Sequence, residues 1–241
     1  MLPPVLLDQW WLSFPSVMCI FFGGIGPMVM AVVWIHLGFW HTPGPAGVKQ
    51  FLSSCFSFSR LTARHLLITA GCILWIVLIP LVLDPQQRLS AEILSTGPGI
   101  FFIVGLIFGA LEEIGWRGYA QRAFQGVLSV WKASLVIGIF WALWHLPLFF
   151  IEGTYQHQLA PGSAAFWAFL CALPAASIVY GWLYHITGGS AAAPILYHGL
   201  GNVVREMVTD AQPFYAFIGE CALAMLVMII SWSLMTRKTA G

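Results

Sequence analysis

Formal charge is almost absent over long stretches of this 241-residue chain, and this limits its possible folds more than any other feature. Only 8% of the residues are Asp, Glu, Lys or Arg, against roughly 25% in a typical soluble domain, and 59% are hydrophobic. No formal charge occurs between Asp8 and Lys49, and residues 153–204 contain none either. A water-soluble domain needs more polar surface than this. The sequence therefore predicts an integral membrane protein.

The apolar runs are numerous enough for about seven membrane-spanning helices, with six to eight as the range. A membrane helix needs about 20 mostly apolar residues, and Gly, Pro and charged residues separate the runs. Residues 6–14 are interpreted either as an interfacial helix or as part of an extra span. The predicted spans are residues 17–39, 66–83, 100–124, 133–151, two within 153–204 that divide at Gly188-Gly189, and 214–235.

We therefore expect an all-α, polytopic helical bundle that forms one integral membrane domain over residues 1–241. The expected location is a membrane crossed several times, the plasma membrane in a prokaryote or an endoplasmic-reticulum-type membrane in a eukaryote. The lipid bilayer is one expected partner. Nucleic acid is not, because a net charge of +1 supplies no field that would attract it.

Three polar clusters interrupt the predicted helices. Ionisable residues inside a membrane are costly, so each is expected to have a partner or a function. The clusters are Glu112-Glu113-Ile-Gly-Trp-Arg117, Trp141-Ala-Leu-Trp-His145 and His198-Gly-Leu-Gly-Asn202. Counted along each helix at about 1.5 Å per residue, all three lie at a similar depth in the bilayer. We therefore expect the three clusters to meet.

Helix geometry separates the roles of the two adjacent glutamates. Glu113 and Arg117 are four residues apart and share a helix face, which favours a structural ion pair. Glu112 points about 100° away and is expected to be free and to face other helices. The alternative is a carboxylate bonded to a backbone or Trp N–H. His198 and Asn202 are also four residues apart and present a ring nitrogen and an amide on one face.

The three clusters, in this order on successive helices, resemble the CPBP family, the CAAX-processing and bacteriocin-processing intramembrane proteases also named the Abi family. The resemblance covers about residues 99–205, and Gly26-Pro27 in the first span is also similar to the family. The family has Phe at the first position of the second motif. This chain has Trp141 there, with Phe140 beside it, and Trp141 is expected to keep a supporting role in packing.

The resemblance implies a peptide-bond hydrolase, and the residues support the same chemistry. Glu112 would act as general base on water, with His145 sharing or orienting the proton. His198 and Asn202 would donate hydrogen bonds to the tetrahedral oxyanion. Neither step needs a metal, so we favour a site without a cofactor. Zinc is the alternative, with Glu112, His145 and His198 as its ligands.

The expected function is therefore intramembrane hydrolysis of a peptide bond in a membrane-associated or lipidated peptide or protein. An alternative is a non-enzymatic membrane protein of the same fold, such as a bacteriocin-immunity or scaffold protein. A small transporter with Glu112 as a proton relay is a third interpretation. A transporter would be expected to show two halves with paired broken helices, and the sequence contains no such repeat.

Overall fold

The computed structural model describes residues 14–39, 44–84, 88–89, 98–152, 154–206, 208–209 and 213–238. Most of the possible interfacial segment 6–14 lies outside these residues. The chain is helical throughout the described ranges apart from turns, short loops and one two-residue strand pair, Arg88–Leu89 (β1) with Val208–Thr209 (β2). The helices are α1 (Phe14–His36), α2 (Gly44–Cys55), α3 (Ala63–Leu83), α4 (Pro98–Glu113), α5 (Arg122–Gln125), α6 (Val130–His145), α7 (Ala164–Ile186), α8 (Ala192–Glu206), α9 (Pro213–Ile230) and α10 (Trp232–Met235).

The all-α, polytopic membrane architecture is confirmed. Four apolar stretches of helix in the described chain are long enough to cross a membrane, by length and composition. Each of the seven predicted spans overlaps one or more described helices, and the shorter α2 was not predicted. The four stretches are Ala63–Leu83, Val130–Phe150, Ala164–Ile186 and Pro213–Ile230.

Local sequence signals explain where several helices begin and end. The Ser163 hydroxyl accepts a hydrogen bond from the Phe166 N–H and caps the start of α7. The predicted break between the fifth and sixth spans lies at Gly188-Gly189, where both residues have positive φ, +65° and +82°. Residues with a Cβ atom rarely adopt a positive φ, so two consecutive glycines let the chain reverse between α7 and α8.

The third predicted span differs from a regular α-helix at the first polar cluster. After α4 the chain continues as a π-helical segment over Ile114–Gln121 before α5. Such wider turns insert an extra residue into the helix and are frequent at functional sites. The fourth span also changes geometry, because α6 ends at His145 and continues as a 3₁₀ turn over Leu146–Phe150. Pro147 lies in that turn and cannot donate the hydrogen bond that would extend α6.

The helix α7 lies at the centre of the described bundle. It packs along α6 and α9, while α8 packs along α4 and α3. The largest apolar core joins these helices and includes Trp141, Val179, Leu183 and Tyr197. Near the end of α8, the Arg205 guanidinium donates to the Glu220 carboxylate on α9. The hydroxyl of Tyr197, the residue before His198, donates to the same carboxylate at 3.4 Å. This packing fixes α8 from two sides.

The approach of α4 to α8 depends on Gly109. A Cβ atom at this position would lie 2.8 Å from the Gly199 nitrogen and 3.2 Å from the His198 Cβ atom. Both distances are shorter than ordinary van der Waals contact, and the nearer one involves backbone. A glycine is therefore required for the helix that carries the two glutamates to lie directly against the helix that carries His198.

Candidate active site

The three polar clusters meet between α4, α6 and α8, with α7 behind them. Glu113 is fully buried, and one of its oxygens, Oε1, serves two partners. The Arg117 Nη1 donates to it across 3.2 Å, and the His198 Nδ1 lies 3.0 Å from it. The structure thus contains the ion pair between Glu113 and Arg117. It also adds an interaction with His198 that the sequence did not predict.

Side chains of α6 and α7 hold Arg117 in addition to Glu113. Its Nη2 donates to the Ser177 hydroxyl at 2.8 Å, and Ser177 in turn donates to the Ser134 carbonyl at 2.6 Å. The guanidinium carbon lies 4.5 Å from the centre of the Tyr180 ring and 5.3 Å from that of the Trp141 ring. Cations are attracted to the faces of such rings. Sequence reasoning missed Ser177 and Tyr180, whose one signal is that they are polar residues three positions apart in an apolar helix.

The expectation that Glu112 is free is wrong for one of its oxygens. The Trp141 Nε1–H donates to the Glu112 Oε2 at 2.9 Å. Glu112 itself is half-buried, whereas Glu113 is fully buried. The two carboxylates therefore do point to different surroundings. The wider π-helical turn begins directly after them, at Ile114.

His145 lies at the end of α6, where the α-helix gives way to the 3₁₀ turn. Its Nδ1 is 2.8 Å from the Trp141 carbonyl oxygen four residues earlier. A carbonyl only accepts, so Nδ1 carries the proton, and in the neutral ring Nε2 is left as the accepting nitrogen. The ring packs edge-on against Trp141 and Phe169, with centroids 5.7 and 5.5 Å away.

His198 is 6% exposed, and its ring is enclosed by aromatic rings. The centroids of Trp141 and Tyr180 lie 5.4 and 5.6 Å from that of the His198 ring. Asn202 follows one helical turn later on α8 and is half-buried. His198 and Asn202 therefore both lie on α8, the helix that packs against α4 at Gly109.

One atom of each of the three residues proposed as zinc ligands is held in a hydrogen bond. Within the described part of the chain, no group of three or more His, Cys, Asp and Glu side chains is arranged to hold a metal ion. The His145 Nδ1 forms a hydrogen bond with the Trp141 carbonyl oxygen, and the His198 Nδ1 forms one with the Glu113 carboxylate. The Oε2 of Glu112 is used by Trp141. Glu112 Oε1, His145 Nε2 and His198 Nε2 lie outside these hydrogen bonds, and they are the atoms through which a zinc ion would be held.

Comparisons with known proteins agree with the resemblance seen in the motifs. Residues 95–204 match a family described as type II CAAX prenyl endopeptidase Rce1-like. The chain is 36% identical over 117 residues to CAAX prenyl protease 2 of Methanococcus maripaludis. That alignment covers 48% of this chain and 42% of the relative, so the chain spans less than half of the length of that relative. The segment that contains all three polar clusters is therefore similar to the type II CAAX prenyl endopeptidases.

Proposed function

We propose that this chain is an intramembrane endopeptidase that uses a glutamate-activated water to hydrolyse a peptide bond. The observation that carries the proposal is the meeting of Glu112, His145 and His198 from three separate helices around the ring of Trp141. Carboxylate, imidazole and hydrogen-bond donors at one place inside a membrane are the groups that water-dependent acyl hydrolysis needs. The protein would act as one membrane domain with a catalytic core over about residues 99–205.

Glu112 is the proposed general base. Its Oε2 is held by the Trp141 indole, and the carboxylate is half-buried, which leaves Oε1 to receive a proton. The water oxygen forms a bond to the carbonyl carbon of the substrate as one of its protons passes to Glu112. His145 orients the same water through Nε2, the accepting nitrogen of its neutral ring. The proton on Glu112 then passes to the nitrogen of the leaving peptide when the C–N bond breaks.

His198 and Asn202 are the proposed donors to the oxyanion. Because the His198 Nδ1 faces the Glu113 carboxylate, its Nε2 donates a hydrogen bond when the ring carries both protons. The Asn202 amide, one turn along the same helix face, would supply the second donor. Glu113 and Arg117 would support the site without touching the substrate.

The name of the relative suggests the substrate class. The name CAAX prenyl protease 2 refers to a prenyl group and to a CAAX sequence, the C-terminal signal in which a Cys is prenylated. We propose that the substrate of the present chain is likewise a lipidated or membrane-associated peptide. The described helices expose many large apolar side chains, which matches a protein that meets such a substrate within the bilayer.

Hydrolysis in ¹⁸O-labelled water tests the proposal. The full chain in liposomes would be incubated with a farnesylated, internally quenched peptide ending in CAAX, and the products analysed by mass spectrometry. We expect cleavage after the prenylated cysteine and one ¹⁸O atom in the new carboxylate. A parallel preparation of His145→Ala reports any contaminating peptidase. Equal cleavage by both preparations, or none by the wild type on prenylated and unprenylated peptides alike, would contradict the proposal.

A further inference from the structure

The indole of Trp141 makes a polar contact that a packing role does not require. Its Nε1 atom lies 2.9 Å from the Glu112 Oε2 and donates a hydrogen bond to it. Trp141 is 4% exposed. Among the described residues, this is the hydrogen bond that the Glu112 carboxylate receives. A hydrogen bond between an N–H and a carboxylate is stronger than one between neutral groups, and its geometry is more specific.

The ring that supplies this donor is itself fixed on several sides. Its centroid lies 5.4 Å from that of Tyr180 on α7 and 5.4 Å from that of His198 on α8. The His145 ring packs on it at 5.7 Å, and the Arg117 guanidinium lies 5.3 Å above its face. Partners from four elements of the fold therefore hold the indole. The direction of its N–H bond is set before any substrate arrives.

The two adjacent glutamates are held by partners of different charge. Glu113 faces the cation of Arg117 and the ring of His198, which suits a carboxylate that supports the structure. Glu112 is instead held by an indole, which is a donor without charge. A neutral donor orients a carboxylate without neutralising it, so the negative charge stays available to accept a proton.

We propose that Trp141 is a positioning residue for Glu112, and this inference rests on the proposed function. The indole N–H fixes Oε2 and thereby directs Oε1 at the attacking water. A general base must lie within hydrogen-bond reach of the proton that it accepts, so a carboxylate free to rotate would spend less time in a productive position. Trp141 touches neither water nor substrate in this role and acts through Glu112.

Trp141→Phe removes the donor and keeps an aromatic ring, and Trp182→Phe is the matched control. The Trp182 Nε1 also donates a hydrogen bond of 2.9 Å, to Ser231, and its side chain is 7% exposed. With the farnesylated CAAX peptide we expect kcat to fall about 10- to 100-fold in Trp141→Phe, the effect of losing a hydrogen bond to a charged group. KM should remain at the wild-type value. Trp182→Phe should lower thermal stability to a similar extent and leave kcat unchanged.

Indole ¹⁵N–¹H spectra test the hydrogen bond without any activity. The Trp141 signal would be assigned by its loss in Trp141→Phe, and we expect it to move in Glu112→Ala while the Trp182 signal stays in place. A Trp141 signal that does not respond to Glu112→Ala would overturn the inference, and so would a kcat for Trp141→Phe equal to that of Trp182→Phe. Full activity of Glu112→Gln would instead contradict the proposed function, so the two failures can be distinguished.

Discussion

Glu113 and His198 are 85 residues apart in the sequence, yet the Glu113 Oε1 lies 3.0 Å from the His198 Nδ1. The same oxygen accepts from Arg117 at 3.2 Å. One buried carboxylate therefore fixes both a side chain of its own helical segment and the imidazole of α8. The orientation of His198 depends on a residue that the proposed chemistry does not itself use.

Replacing this carboxylate should damage stability as well as catalysis. In Glu113→Gln the buried Arg117 loses its counter-charge, and removing one partner of a buried ion pair costs about 3–5 kcal/mol. We expect a lower melting temperature in detergent, a lower yield and reduced cleavage. The exposed Glu152→Gln should match the wild type in all three. A Glu113→Gln protein of normal stability with a purely kinetic defect would mean that the roles of Glu112 and Glu113 are reversed.

The hydroxyl of Ser177 should matter for stability although it lies on a helix without formal charges. Ser177→Ala removes the acceptor of the Arg117 Nη2 and the donor to the Ser134 carbonyl. We expect the free energy of unfolding to fall by about 1–3 kcal/mol, because two buried polar groups lose a partner. Chemical unfolding in mixed micelles would measure the change, with the exposed Ser53→Ala as control. Equal stability of the two variants would show that Arg117 does not depend on Ser177.

The contact between α4 and α8 can be tested with a single methyl group. In Gly109→Ala the new Cβ atom would lie 2.8 Å from the Gly199 nitrogen, so the helices must separate. Gly71→Ala on α3 adds the same methyl where no atom lies within 4 Å. Both changes gain about 1 kcal/mol of helix propensity. We expect Gly109→Ala to lower the melting temperature and the rate of cleavage and Gly71→Ala to do neither. Equal behaviour would contradict the close approach.

We expect the protein to be active without a bound metal. Purified protein should contain well under one equivalent of zinc and should keep its activity after long incubation with strong chelators. The physical reason is that Asn202 is a poor zinc ligand and that its place beside His198 suits paired donors to an oxyanion. Elemental analysis and activity assays on the same samples would check this. One equivalent of zinc, lost and restored together with activity, would make Glu112, His145 and His198 the ligands instead.

Much of the fold follows from the sequence because a membrane simplifies the problem. Uninterrupted apolar runs define helices, so the order of the spans and the break at Gly188-Gly189 could be predicted. The ion pair of Glu113 with Arg117 follows from their spacing. The meeting of the three clusters follows from their similar depths.

Other parts of the site depend on side-chain directions between helices, which periodicity does not fix. The bond from Trp141 to Glu112 requires the relative rotation of α4 and α6. The π-helical segment that begins at Ile114 changes the direction of every later side chain in that span. Ser177 and Tyr180 contact Arg117 from a neighbouring helix, α7, and no charged residue in α7 indicates this contact. These contacts arise from tertiary packing, so a sequence pattern within one helix does not reveal them.

The kcat of Glu112→Gln tests the central claim most directly. Gln keeps the size of the side chain, and its amide oxygen still accepts from Trp141, but it cannot take a proton from water. We expect kcat on the farnesylated CAAX peptide to fall by about 100-fold or more, the usual effect of losing a general base. Membrane insertion, yield and melting temperature should match those of the wild type and of Glu152→Gln. A correctly folded Glu112→Gln protein that cleaves the peptide at the wild-type rate would contradict the account.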